Sequence, residues 1–334
     1  MALEAAFLSP GGDITSGVKA LNEPVREGLV GKEGGPGVRT SGPPWPHEIA
    51  PRVWVFKSEG FADQLATLIG LGEEALVVDP PMFQEEAARV KEFARAQGLE
   101  IVWLALTHAH GDHAQGMAYF PRTLAIAQRE FWPTWQRVAP LEAEYFSRVL
   151  PGYQGLSLRE PEVTFARELR LKRAGRQVIF RSAPGHSPDG LWVELPAERV
   201  WIVGDTVLPV PYLAAGDRAQ LLATLKELLA RWEGGTLVLG HRQVLVGEQA
   251  HEMIEANFRY LKLLPQKVAE AAAARKSKRE VLALPLTEFG LPQGVWEPLG
   301  RELHRVNLER TWEEIFPRHR EVQRGAGDRG GGDR

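Results

Sequence analysis

Residues 104–116 read LALTHAHGDHAQG, with three histidines and an aspartate in the six positions from His108 to His113. The chain of 334 residues has only nine histidines. The preceding IVWLALT is continuously apolar, the pattern of a strand covered on both faces. In an extended segment leaving such a strand, residues two apart point the same way, so His108 and His110 can converge on one ion. Gly111 makes a sharp turn sterically easy, and the following HAQGMAYF turns toward helix, which redirects Asp112 and His113. One loop can thus present two ligand sets side by side. A fold that accommodates it must bring a buried strand out at an open, polar edge.

Later runs end in the same way. VIFRSAPGHSPDG delivers His186, VWIVGDT delivers Asp205 and LVLGHRQ delivers His241, each behind a glycine. Glycine lets the backbone pass close to another group. Five of the nine histidines lie in such places; His47, His251, His304 and His319 do not and are read as surface or packing residues. The chain has no cysteine, so any metal is held by nitrogen and oxygen and any nucleophile is not a thiolate. No Gly-x-Ser-x-Gly stretch occurs either.

Four segments are expected. Residues 1–47 hold nine Gly and six Pro without periodicity and read as an extended or partly disordered arm, alternatively one that covers substrate or makes a dimer. Residues 48–250 form the main α/β domain, with strands expected at RVWVFKS, QLATLIG, EEALVVDPP, IVWLALT, QVIFRSA, LWVEL, RVWIVGD and TLVLGH. Helices are expected from Phe83 to Gln97, stopped by Gly98, and from Arg218 to Trp232. Residues 251–322 read as a helical module, its first helix interrupted near Pro265. It either caps the main domain or makes a dimer interface, or else binds substrate or nucleic acid. Residues 323–334 are low-complexity and read as a disordered tail.

The combination of HAHGDH, GHSPDG, GDT and LGH, in that order over roughly residues 50–250, resembles the metallo-β-lactamase-fold hydrolase superfamily. The resemblance implies an αββα sandwich, two mixed sheets packed together with helices outside, here carrying a C-terminal helical appendage. It implies that His108, His110 and His186 hold a first metal, that Asp112, His113 and His241 hold a second, and that Asp205 bridges both. Asp79, closing ALVVDP, matches the acidic residue that supports the metal loop. Two Zn2+ ions per chain are expected, since imidazole and carboxylate suit zinc; iron or manganese fit the same ligands. The implied reaction is hydrolysis by a metal-bound hydroxide, with Asp112 orienting it.

The substrate is less constrained, because fold and metal site do not name it. The glyoxalase II (hydroxyacylglutathione hydrolase) branch usually carries Arg and Lys after the bridging aspartate, whereas TVLPVPYLAAGD here has neither. The branch of LACTB-like 2 proteins shares the C-terminal helical module, and some of its members cleave single-stranded RNA. The first reading is a hydrolase of a small ester, thioester or lactone, with an apolar mouth from Leu208, Val210 and Leu213. Tyr212 is the candidate to reach a substrate oxygen or leaving group. The alternatives are a phosphodiesterase or ribonuclease whose C-terminal module holds RNA near Lys276, Lys278 and Arg279, and a mononuclear iron persulfide dioxygenase. Net charge is −3, which advertises no global affinity for nucleic acid or membrane. No apolar run approaches the ~20 residues that span a bilayer, and the N-terminus does not read as an export signal. The expected setting is cytoplasmic, with oligomeric state open.

Overall fold

A computed structural model describes residues 45–317 except 151, 152, 154, 214 and 215. Most of the expected arm, the whole expected tail and His319 lie outside the described residues.

Two mixed sheets face each other. The first contains β1 (His47–Ala50), β2 (Val53–Lys57), β3 (Leu65–Leu71), β4 (Glu74–Val78), β5 (Glu100–Ala105), β6 (Leu124–Gln128) and β7 (Val163–Phe165), side by side in chain order. The second contains β8 (Glu168–Arg173), β9 (Arg176–Ser182), β10 (Leu191–Leu195), β11 (Val200–Gly204), β12 (Thr236–Leu239) and β13 (Val244–Val246), again in order. Strands β4 to β7 run parallel to one another, as do β11 and β12. Val55, Ile69, Leu76 and Ala105 of the first sheet meet Phe180, Val193, Ile202 and Val238 of the second in one buried apolar layer. This is the sandwich that the resemblance implies. His47 already belongs to β1, so the sheet begins just inside the expected arm.

Helices cover the outer faces. Helix α1 (Gln84–Ala96) begins with Glu85 and Glu86 and ends with Arg95, charges that suit its dipole. It lays Ala87, Val90 and Ala94 against the first sheet. The turn α2 (Gly111–Ala114) and the 3₁₀ turn Gln115–Tyr119 follow β5. Helix α3 (Phe131–Val149) has no counterpart in the expected elements; Pro140 in its interior masks the pattern. Helix α4 (Arg218–Arg231) starts from Asp217, whose carboxylate accepts the Gln220 N–H, and covers the second sheet.

The C-terminal helices are α5 (Glu248–Ala273), α6 (Lys278–Val281) and α7 (Leu299–Ile315). Two expectations change here. Helix α5 starts three residues before the expected boundary at 251, and it runs unbroken through Pro265. Packing on both sides of the proline explains why: Leu261, Leu264 and Val268 are all fully buried. These helices share one apolar cluster with α4 and with Val207, Leu208, Val210, Tyr212 and Leu213. None of the helices among the described residues is long and apolar enough to cross a membrane.

The sheets are stitched at one edge. Leu191 N–H donates to Thr107 O at 2.8 Å, Leu65 N–H to Gly240 O at 2.8 Å, and Arg242 N–H to Asp63 O at 2.9 Å. Gly116 locks the loop after β5 into this edge: a Cβ there would lie 2.1 Å from Pro80 O and 2.4 Å from Pro81 O. Those are backbone atoms and cannot swing aside. Gly116→Ala is therefore expected to destabilise the protein by about 1–3 kcal/mol, read as a lower urea midpoint at unchanged m-value.

Candidate metal centre

All seven expected ligands gather at the stitched edge. Each follows the C-terminal end of a strand: His108, His110, Asp112 and His113 after β5, His186 after β9, Asp205 after β11 and His241 after β12. Their exposures run from 0 to 3%. They fall into two groups that could hold an ion, His108/His110/His186/Asp205 and Asp112/His113/His241, with facing ligand atoms in each within 4.8 Å of one another.

The outer ring nitrogens decide where the inner ones point. His186 Nδ1 lies 2.9 Å from Tyr212 O and His241 Nδ1 3.0 Å from Ala62 O. A carbonyl only accepts, so both nitrogens carry protons and each Nε2 is left with a lone pair. His113 Nδ1 donates in the same way to Asp79 Oδ2 at 2.8 Å. Thr107 gives its hydroxyl proton to Asp79 Oδ2 at 2.7 Å and so accepts from His108 Nδ1 at 3.0 Å. Asp79 also accepts the Thr107 N–H at 2.8 Å. It makes these contacts from a left-handed backbone at φ +51, a conformation aspartate tolerates better than most residues.

Rings so held turn their inner nitrogens toward one another. His108 Nε2 and His186 Nε2 lie 3.0 and 3.1 Å from His110 Nδ1, and His113 Nε2 lies 3.3 Å from His241 Nε2. Asp205 spans both groups. Its Oδ2 faces His186 Nε2 at 3.6 Å and His108 Nε2 at 4.0 Å; its Oδ1 faces His113 Nε2 at 3.4 Å and His241 Nε2 at 3.5 Å. Asp112 Oδ2 lies 3.4 Å from His241 Nε2. Both Asp205 oxygens and Asp112 Oδ2 are buried without a well-formed hydrogen bond among the described residues. Ligands about 2.0–2.1 Å from a tetrahedral ion stand roughly 3.3 Å apart. The donor set and its spacing fit a divalent metal at these groups.

Gly240 leaves room for this carboxylate: a Cβ on it would lie 1.9 Å from Asp205 Oδ1. His47 is in β1, His251 pairs with Glu255 on α5, and His304 is buried between Tyr260 and Leu284 O, all outside the ligand groups. Tyr212 lies beside His186 with ring centroids 5.9 Å apart, and its side chain is fully buried.

Several contributors were not anticipated. Trp296, at φ +56, brings its ring centroid to 5.4 Å from that of His241. Glu142 of α3 accepts the Gly111 N–H at 2.7 Å, beside Asp112. Asp189 of GHSPDG is pushed up to about 6 by burial, against the hydrogen bond from Ser187 and the nearby His110. Only Asp189 lay within a motif; the others reach the site through tertiary contacts.

The electrostatics favour a cation. Burial pushes the Asp205 carboxyl up, but the facing His241 and His113 outweigh it and hold it well below the usual carboxylate range. Burial pulls His113 down, yet Asp205, Asp112 and Asp79 raise it to about 10. A proton on His113 Nε2 excludes an ion from that nitrogen, so loading must expel it. Adding zinc to chelator-treated protein at pH 7.5 is expected to release protons, seen as a titration heat that varies with the buffer's ionisation enthalpy. Affinity should strengthen as pH rises toward 10.

Residues 60–241, just over half of the chain, match the family described as Metallo-beta-lactamase superfamily. A lactamase-like protein, nscB, from Arthroderma otae is 24% identical over 200 residues, 60% of this chain and 47% of that protein, so the chain spans about half of that relative's length. A hydroxyacylglutathione hydrolase from Dechloromonas aromatica is 27% identical over 237 residues, 68% of this chain and 75% of that protein. Among solved structures, the stereoselective inverting sec-alkylsulfatase Pisa1 from Pseudomonas sp. matches with a TM-score of 0.60 at 15% identity, over 78% of this chain and 49% of that one, a likeness of fold. The matched segment contains all seven candidate ligands of the paired groups, and the chain belongs to the metallo-beta-lactamase superfamily.

Proposed function

We propose that this protein is a dinuclear zinc-dependent hydrolase of a small ester, thioester or lactone. The observation that supports it best is the position of Asp205, with one carboxylate oxygen turned to each histidine group. His108, His110 and His186 would hold one ion, Asp112, His113 and His241 the other, and Asp205 both. When bound, the ions supply Lewis acidity and a water activated at neutral pH.

The chain's own groups do the rest. Asp112 Oδ2 has no well-formed hydrogen bond and lies beside His241 and His113. It can orient the attacking water and take its proton. The water oxygen bonds to the acyl carbon, the C–O or C–S bond breaks, and the alcohol or thiol leaves with a proton. Tyr212 is the candidate to assist the leaving group. Leu208 and Val210 pack into the apolar cluster beneath the C-terminal helices, so an apolar mouth would draw more on Trp296 beside His241.

Three observations favour a small acyl substrate. The ligands are deeply buried, which suits a narrow approach. Lys278 is paired with Glu309 and Glu313, so the basic run offers less charge to RNA. The similar protein from Dechloromonas aromatica is named for hydrolysis of a hydroxyacyl conjugate of glutathione.

The test is a panel of ester, thioester, lactone and phosphodiester substrates with zinc-loaded and chelated protein. Acyl hydrolysis that vanishes on chelation and returns with zinc is expected; faster phosphodiester turnover would overturn the reading. Asp205→Ala is expected to lose activity and at least one ion together, whereas His251→Ala should leave both unchanged. Tyr212→Phe should lower turnover with both ions retained, since it keeps the backbone carbonyl that orients His186.

A further inference from the structure

We infer that Asn307, in the last described helix, is a positioning residue that sets the affinity of the His108/His110/His186 ion and not of the other. The inference rests on the proposed two-ion site. It starts from the segment after Asp205, which supplies no ligand of its own. Its Tyr212 carbonyl receives the proton of His186 Nδ1 at 2.9 Å. The position of that one oxygen fixes the ring's tautomer and aim.

Asn307 holds the chain on both sides of that carbonyl. Its Oδ1 accepts the Leu213 N–H at 3.0 Å, and its Nδ2 donates to Pro211 O at 2.6 Å. Nδ2 also donates to the Tyr260 hydroxyl at 3.0 Å, which ties the grip to α5. Asn307 is fully buried, so in the folded protein these bonds are made without competition from bulk water. Arg310 adds a hold from the same helix, on Leu213 O at 2.6 Å and Gly216 O at 3.3 Å.

The second histidine group is supported elsewhere. His241 rests on Ala62 O, and His113 on Asp79. Asp79 also serves His108 through Thr107; the support that the second group does not share is the Tyr212 carbonyl under His186, held in place by Asn307. Loss of Asn307 should act on one ion alone.

The molecule contains its own control. Asn257 of α5 makes a similar grip on the same segment, accepting the Leu208 N–H at 3.1 Å and donating to Leu208 O at 2.8 Å. It is buried as well, but Leu208 orients no ligand. A clamp that only stabilises the fold would behave like Asn257.

The experiment measures zinc retained by the full chain in dialysis against graded chelator, alongside urea unfolding. Parent protein should hold two ions. Asn307→Ser should weaken one of them by about 10- to 100-fold and leave the other unchanged. Combined with His186→Ala, it should cost nothing further, since both act on the same ion. Asn257→Ser should lower the unfolding midpoint and keep both affinities. If Asn307→Ser does not fold, Arg310→Met gives the same reading with a smaller shift. Unchanged affinities, or parallel loss of both ions, in the folded variant would overturn the inference. Parent protein that never holds two ions would instead overturn the proposed function.

Discussion

Five imidazoles and two carboxylates converge in a space almost closed to water. The outer nitrogens of four rings are committed to carbonyls, a carboxylate and a hydroxyl, so the inner ones are turned toward one another. Burying such groups without compensation is costly. A protonated His113 offsets part of that cost through Asp205, Asp112 and Asp79, but one proton cannot satisfy two clusters on opposite sides of one carboxylate. The two donor groups suit divalent cations, and much of the surrounding chain holds those donors in place.

Keeping the rings in place takes contributions from distant parts of the chain. Asp79, at the end of β4, serves both Thr107 and His113 and so couples the two ligand groups through the first sheet. Ala62 reaches His241 from the loop between β2 and β3. Glu142 holds the Gly111 N–H from a helix 31 residues further along the chain. Each support is a backbone group or a buried carboxylate, which makes the ligand positions rigid. The hydrogen bonds between the sheets fall at the same edge, where the covalent chain would otherwise be free to splay.

The C-terminal helices belong to this supporting structure. Their apolar faces complete the cluster that includes Val207 to Leu213. Their polar residues Asn257 and Asn307 satisfy backbone groups of a segment that would otherwise bury them unpaired. Trp296 extends the contact to His241 itself. A segment that looks like an appendage in sequence is thus packed into the centre's surroundings.

The candidate ligands were legible because their positions obey local rules. Side-chain direction alternates along an extended segment, glycine permits close approach, and a buried strand ending in His or Asp must deliver that group to the sheet's edge. The same rules brought out most strands and the helices α1 and α4. They failed where proline obscured the pattern, as at Pro140, and where packing overrode it, as at Pro265. In α7 the polar residues His304, Asn307 and Thr311 recur on the apolar face; that spacing marks them as buried, but not what they touch. Which carbonyl takes the His186 proton, and which side chain holds that carbonyl, was decided only by the tertiary structure. The partners in that chain of contacts are 26 and then about a hundred residues apart. Local periodicity records which face of an element is buried, whereas the pairing of two buried faces depends on how whole layers pack.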